Sequence, residues 1–328
     1  MTNPQHEALK QHTTQVRYAL SQYTPHGLKA EQFKNIIIAG MGGSGIGGQL
    51  VKNIFAASAP IPIITLAGYE LPTFASKDTL LILGSYSGNT EETLDIFEQG
   101  VQRGCTLIGL TSGGKIKEKC EQHQTKCYLM QGGFQPRMAL GFSLTFLLQI
   151  VGELTSREVK TDIEEAIAKI DEDNELIDYA TQIFEQVKTK ANIKFVIITD
   201  NEYEALGTRF AQQIQENAKH EAFVHVLPEM NHNVIESYYG TLQSVFFFIH
   251  SHAHERIDAR FEFLTNLLEV ENHKVVHFIT EQFGIRQVYE LNYVLDWLSL
   301  MVADHRRVDS LNVPNIVSLK DFLDQISA

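Results

Sequence analysis

Short apolar runs that alternate with helical stretches limit what this chain can fold into more than any other feature. Residues 35–39 (NIIIA), 61–66 (IPIITL), 79–83 (TLLIL), 106–110 (TLIGL) and 126–130 (KCYLM) are strand-sized and largely apolar. Between them lie stretches of helical spacing: one from about Gly45 to Ala56, and another starting near Glu91 with Leu94, Phe97 and Val101 on one face. A strand that is apolar on both faces must be covered on both. Parallel neighbours also need a crossover long enough to hold a helix. The pattern therefore predicts an α/β fold with parallel sheets flanked by helices.

The same rhythm returns later. Residues 193–198 (IKFVII), 222–227 (AFVHVL), 244–249 and 274–279 (KVVHFI) read as strands, with helices over 204–218 and 287–303. Residues 1–30 and 139–190 read as helical, the latter as a very apolar helix over 140–154 and a charged amphipathic one over 160–188. The two halves look like a weak repeat. NIIIAGMGGSG lines up with IKFVIITDNEY, TLLILGSYSGNT with SVFFFIHSHAHE, and TLIGLTSGG with KVVHFITEQFG. At 328 residues the chain has room for about two domains. The division expected is 1–152, bridging helices over 153–190, and 191–328.

Composition narrows the classes of function. A hydrophobic fraction of 44% and a charged fraction of 20% support a large core. The net charge of −13 argues against nucleic-acid or anionic-membrane partners. No apolar run approaches the ~18 residues of a membrane span, and the first 20 residues lack the basic and apolar regions of a secretory signal. Three cysteines without metal-ligand spacing fit a reducing cytoplasm.

Two loops carry chemistry. Gly40-Met-Gly-Gly-Ser-Gly-Ile-Gly-Gly48 follows a strand and opens a helix, at the carboxyl edge where such sheets bind ligands. Glycines at Gly42 and Gly43 allow close approach to an anion, and free N–H groups at the helix start favour phosphate. Ser44 adds a hydroxyl and is placed to cap the helix. Gly40, Gly42 and Gly45 also satisfy the spacing of a dinucleotide fingerprint. The acidic residue that such a site wants on the next strand is missing, because that strand ends Thr65-Leu-Ala-Gly. The second loop, Ser85-Tyr-Ser-Gly-Asn-Thr-Glu-Glu92, offers hydroxyls at Ser85, Ser87 and Thr90. A capped helix with Asn89 as N-cap and Glu92 three residues on is the bland reading, but three hydroxyls exceed what a cap needs. A local nest of donors can hold phosphate on an acidic protein.

Together these loops resemble a sugar isomerase (SIS) domain. Gln135-Pro-Arg137, Gln215-Glu-Asn-Ala-Lys219, Pro228-Glu-Met-Asn-His-Asn233 and Ile316-Val-Ser-Leu-Lys320 extend the likeness, in that order, to the bifunctional phosphoglucose/phosphomannose isomerases. The resemblance implies two SIS-type domains, each a parallel sheet flanked by helices. It implies a dimer with sites where subunits meet, a sugar-phosphate substrate, and no metal or organic cofactor. It further implies aldose–ketose isomerisation through an enediolate. Glu216 would be the base, Arg137 the stabiliser of the enediolate oxygen, His232 the ring-opening group supplied by the partner subunit, and Lys320 a C-terminal active-site lysine.

Position alone is less generous to these residues. Glu216 sits off the Leu206–Phe210–Ile214 apolar stripe and would pass for a solvated helical carboxylate. Arg137 would pass for a surface ion-pair partner, and Lys320 for a solvated lysine following an unusually charged stretch, 304–312. His232, in a polar loop, has a side chain suited to proton transfer near neutral pH. His250, His252 and His254 alternate along a strand and so could meet a metal. The bland reading is the polar mouth of a strand. Two other functions compete. A non-catalytic sugar-phosphate sensor wants an output module, and residues 1–34 are too short and insufficiently basic for one. An amino-sugar synthase wants a glutaminase domain with an N-terminal nucleophilic cysteine, which the chain lacks.

Overall fold

Two parallel sheets form, one from each half of the chain. The structure is a computed structural model that describes residues 4–172, 174–191, 193–238, 242–252 and 254–326. In chain order the elements are α1 (Pro4–Lys10), α2 (His12–Gln22), β1 (Asn35–Gly40), α3 (Gly42–Phe55), β2 (Ile63–Leu66), β3 (Thr79–Ser85), α4 (Glu91–Gln102), β4 (Thr106–Thr111), α5 (Gly114–Gln122), β5 (Lys126–Leu129), α6 (Leu140–Thr155), α7 (Lys160–Asp171) and α8 (Glu175–Val187). They continue as β6 (Phe195–Thr199), α9 (Glu204–Ala218), β7 (Ala222–Val226), β8 (Val245–Ser251), α10 (Glu255–Val270), β9 (Lys274–Thr280), α11 (Ile285–Arg306) and α12 (Pro314–Ile326).

The strand orders are β2-β1-β3-β4-β5 and β7-β6-β8-β9, with every pairing parallel. The second sheet repeats the order of the first four strands of the first sheet, β6 standing for β1 and β8 for β3. This is the correspondence that the weak sequence repeat predicts.

Alternation along each strand divides the core. Ile36 and Ile38 of β1 face one apolar cluster, and Ile37 and Ala39 face another. Phe195 and Ile197 of β6 join the same cluster as Ile36, while Val196 and Ile198 pack under α10 with Phe261 and Leu264. The inner faces of both sheets therefore share one interior, filled by α3, α6, α9 and α11. Phe247 of β8 lies there, edge-on to Phe195 and Phe210. No helix among the described residues is long and apolar enough to cross a membrane.

Three helical expectations change. The N-terminal stretch forms two helices, ending at Gln22, and the expected helix over 160–188 is two. Glu172 turns extended and Asn174 is left-handed at φ +57°, so the ladder breaks between α7 and α8. The glycine-loop helix starts at Gly42 rather than near Gly45. Here Met41 takes the N-cap position with no side-chain bond, and Ser44 lies inside the first turn.

The two sheets run in opposite senses at their contact. Asn53, at the far end of α3, donates to the carbonyls of Asn201 (2.9 Å) and Glu202 (2.8 Å), in the loop leaving β6. The amino edge of the first sheet thus meets the carboxyl edge of the second. At the other end, the carboxyl edge of the first sheet meets the returning end of α9. This packing decides which residues can share a site.

Candidate active site

The two predicted loops lie side by side because β1 and β3 are neighbours whose chains leave in opposite directions. From β1, α3 leads to β2, and from β3, α4 leads to β4. The helices pack on opposite faces of the sheet, so their N-termini flank one crevice at its carboxyl edge. Ser44 joins the loops: its Oγ accepts from the Tyr86 N–H at 2.9 Å, where the sequence suggested a helix cap.

The second loop is shaped from within. Ser85 is fully buried, its Oγ accepting from Gly88 N–H at 3.1 Å and sharing a 2.8 Å hydrogen bond with Thr90 Oγ1. Ser87 is exposed and Thr90 half-buried, and Ser87 Oγ accepts from the Asn89 N–H at 3.2 Å. Thr90, not Asn89, takes the N-cap position, and Asn89 Oδ1 instead accepts from the Lys115 N–H at 3.1 Å. Gly88 is held at φ +72°, and a Cβ there would lie 1.8 Å from the Gly113 carbonyl oxygen. No other residue type fits this turn.

Arg137 reaches the same crevice through Gly43. A Cβ on Gly43 would sit 2.9 Å from the Pro136 carbonyl oxygen and 3.1 Å from the Arg137 nitrogen. The absence of a side chain lets the glycine loop and the Pro136–Met138 turn touch backbone to backbone. The surface ion-pair reading of Arg137 is wrong, because the residue is only 4% exposed. Its Nε donates to Asn217 Oδ1 at 2.9 Å, and its Nη2 to the carbonyls of Ser310 (2.6 Å) and Leu311 (2.9 Å). Nη1 donates to Glu216 Oε2 at 3.4 Å. Burial pulls the arginine below its ordinary pKa, and the charges of Glu216 and Asp309 oppose that. A guanidinium so placed stays charged.

Glu216 comes from the last turn of α9 with a side chain 28% exposed, facing Arg137 rather than open solvent. The next residue but two, Lys219, closes α9 in the left-handed conformation and donates to the carbonyls of Glu216 and of Asn312 (2.7 Å). Arg137 and Lys219 together fix residues 310–312, from which α12 departs. Asn217, Lys219 and the Ser310–Asn312 carbonyls are site residues that reasoning from sequence missed as such. The signal for Asn217 was a polar stripe, Arg209, Gln213 and Asn217, at i, i+4 and i+8 on a mostly buried helix.

Two candidates lie elsewhere. Because β6 and β7 are parallel, α9 runs from the carboxyl edge back to the amino edge, so Glu216 lies at the amino edge. His232 ends the 3-10 turn that follows β7, at the opposite, carboxyl edge, and is exposed. A 15-residue α9 spans ~22 Å. His232 therefore cannot reach the Glu216 of its own chain. Lys320 lies on α12 and is exposed. No contact among the described residues joins it to the Arg137–Glu216 pair.

The three histidines do not meet at one point: His250 and His252 approach Asp258 Oδ1 at 3.8 and 3.2 Å, and His254 turns away. His250 is buried and stacked on Phe261, His252 is exposed, and His254 caps α10 by accepting from the Arg256 N–H. Ala253 lies outside the described residues. Among the described residues no group of three or more histidines, cysteines or carboxylates could hold a metal ion.

The chain is similar to known proteins. The family described as the bacterial phospho-glucose isomerase C-terminal SIS domain matches residues 177–323. A bifunctional phosphoglucose/phosphomannose isomerase from Caldicellulosiruptor bescii is 30% identical over 95% of this chain and 96% of its own. The chain belongs to the bifunctional phosphoglucose/phosphomannose isomerase family. A D-glucosamine-6-phosphate 4-epimerase from Sulfolobus acidocaldarius is 32% identical over 67% of this chain and 68% of its own. Among solved structures, a hypothetical protein from Thermus thermophilus superposes with a TM-score of 0.73 at 15% identity, over 99% of this chain and 90% of that one. The last likeness is one of fold. The expectation of two SIS-type sheets, drawn from the motifs, agrees with this family membership.

Replacing Gly88 tests the phosphate end in this isomerase-family site. A ligand that binds the native state raises its melting temperature. Wild type is expected to gain stability with fructose 6-phosphate, and Gly88→Ala to lose that gain as its loop is pushed off Gly113. An undiminished shift in the variant would remove the loop from the binding site.

Proposed function

We propose that this protein interconverts glucose 6-phosphate, and mannose 6-phosphate, with fructose 6-phosphate. The observation that carries the reading is the buried Arg137 with Glu216 at 3.4 Å, held against the phosphate loop through Gly43. The substrate phosphate binds Gly42, Gly43, Ser44, Ser87 and Thr90, over a turn shaped by Ser85. Glu216 then carries a proton between C2 and C1, and Arg137 Nη1 stabilises the enediolate oxygen as charge develops there. The remaining guanidinium donors are spent on Asn217, Ser310 and Leu311, which leaves the Nη1 edge for substrate. As the carbon-bound proton moves between C1 and C2 a hydroxyl proton moves between O1 and O2, so the reaction is redox-neutral overall. A non-catalytic sensor would have no use for a buried cation paired with a carboxylate beside its phosphate loop.

We further propose that the working form is a homodimer in the cytoplasm and that His232 acts across the interface. The separation of His232 from Glu216 by the length of α9 supports this, since ring opening needs an acid–base group beside the same sugar. The surface of α12 supports it too. Ile316, Leu319, Phe322 and Ile326 are 41%, 55%, 58% and 67% exposed along a helix of 13 residues. A helix that short is marginal in water unless its apolar face is covered. Lys320 borders that face, so docking of α12 on a second copy would bring the lysine toward a site. The division at residues 152 and 190 is retained as the boundary of the two units. One interior spanning both sheets implies that the units do not move independently.

A coupled assay that starts from fructose 6-phosphate, with glucose 6-phosphate, mannose 6-phosphate and glucosamine 6-phosphate products read separately, tests the reaction. The first two are expected from wild type. Glu216→Gln is expected to lose roughly 10²- to 10⁴-fold in kcat while still binding fructose 6-phosphate. Unchanged turnover would remove Glu216 from the mechanism.

Subunit mixing tests the shared site. Glu216→Gln and His232→Ala homodimers are each expected to be inactive. Random exchange makes half the dimers mixed, with one intact site each, so activity should recover to about a quarter of wild type. No recovery despite exchange would contradict a His232 supplied by the partner.

A further inference from the structure

The amide of Asn217 can bond Arg137 Nε only with its oxygen, because Nε–H is a donor. An amide turned by 180° would present NH₂ to the guanidinium and break the contact. Something must therefore hold the amide one way round. Asn217 is fully buried, and its Nδ2 donates to Ser299 Oγ at 3.0 Å. Ser299, also fully buried, has a single hydroxyl proton, and donates it to the main-chain carbonyl of Asp296, one turn earlier on α11, at 2.7 Å. With that proton committed, Ser299 Oγ can offer Asn217 only a lone pair. Nδ2 must face Ser299, so Oδ1 must face Arg137, where the Nε contact is 2.9 Å. The direction of every proton in the chain Arg137, Asn217, Ser299, Asp296 is thus fixed by the one acceptor that cannot change, a helix carbonyl.

A second brace acts on the backbone of the same arginine. Arg209, 3% exposed, donates from Nη2 to the Arg137 carbonyl at 3.0 Å and to Asp296 Oδ2 at 2.6 Å. Gln213 donates to Asp296 Oδ1 at 2.8 Å, and Asn292 donates to Oδ2 at 3.3 Å. Arg209, Gln213 and Asn217 on α9 face Asn292, Asp296 and Ser299 on α11, both sets roughly one helical turn apart. A buried ion pair is costly to desolvate, and its documented use is to specify one arrangement. Here the arrangement specified is the register of α9 on α11, with Glu216 and Arg137 at its end.

We infer that Ser299 is a positioning residue for the isomerisation: through Asn217 it holds the Arg137 guanidinium so that Nη1 faces Glu216 and the substrate. The inference rests on the role given to Arg137 above. Ser299 touches no substrate, and its loss leaves the phosphate loops in place. Misplacing a positioned group by about an ångström costs up to ~10²-fold in rate. Ser299→Ala is therefore expected to lower kcat by ~10- to 100-fold while leaving KM for fructose 6-phosphate within about twofold. Ser299→Thr, which keeps the hydroxyl, is expected to restore kcat. A crystal structure of Ser299→Ala supplies a readout independent of turnover, with the Arg137 Nε to Asn217 Oδ1 contact broken. Arg137→Gln separates the two levels. If Arg137→Gln is inactive while folded Ser299→Ala keeps wild-type kcat and an unmoved guanidinium, the positioning role is overturned and the function stands. If Arg137→Gln itself keeps full turnover, the role of Arg137 fails first. If both serine variants lose kcat and KM together with thermal stability, Ser299 is merely structural and the inference is also overturned.

Discussion

A buried guanidinium holds this molecule's parts in relation to one another. Arg137 belongs to the loop leaving the first sheet, yet its partners are Glu216 and Asn217 on α9 and the carbonyls of Ser310 and Leu311 before α12. A cation at 4% exposure persists only if its hydrogen-bonding capacity is met, and two separate segments must be in place to meet it. The opposed packing of the two sheets follows the same requirement. Only with the carboxyl edge of one against the amino edge of the other does the last turn of α9 reach the Pro136–Met138 turn. Were the sheets to shift, the charge would be left unpaired.

That junction sits beside a phosphate loop built on different physics. The loop offers hydroxyls, backbone N–H groups and two helix N-termini, which suit an anion on a chain with a net charge of −13. Gly43 is the point of contact between the two devices. Its missing side chain brings the glycine-loop backbone against the carbonyl of Pro136. A phosphorylated sugar would thus be gripped at one end by donors that do not change during reaction, with its carbons beside a carboxylate and a fixed positive charge. On the proposed mechanism binding and chemistry fall to different residues, and the fold keeps them in one register.

The sequence was most informative where local rules decide structure. All nine predicted strands form, because apolar runs of four to seven residues bounded by turns have few alternatives in an α/β chain. The loops were equally legible, since glycine at Gly88 and hydroxyls at a helix start leave a local signature. What failed was whatever depends on packing across the chain. Ser44 reads as a cap but bonds Tyr86, a residue 42 positions on. Arg137 reads as a surface residue because nothing near it in sequence shows that Asn217 and Ser310 will bury it. The charged stretch over 160–188 has unbroken helical periodicity, and its interruption near Glu172 and Asn174 carries no glycine or proline to mark it. The resemblance to an isomerase family compensated for part of this. It pointed to Glu216 against a positional argument that favoured a solvent role, and the structure sets that carboxylate 3.4 Å from Arg137. It said nothing of Ser299, which meets the buried amide of Asn217.

Solvent exchange tests whether the carboxylate next to the buried arginine moves a proton between adjacent sugar carbons. Fructose 6-phosphate incubated with the protein in deuterated water should yield aldose 6-phosphate carrying deuterium at C2, because a proton held on Glu216 exchanges with solvent before its return. Formation of aldose with no deuterium at any carbon, across a range of enzyme concentrations and temperatures, would point to a hydride shift and contradict the assignment of Glu216 as base.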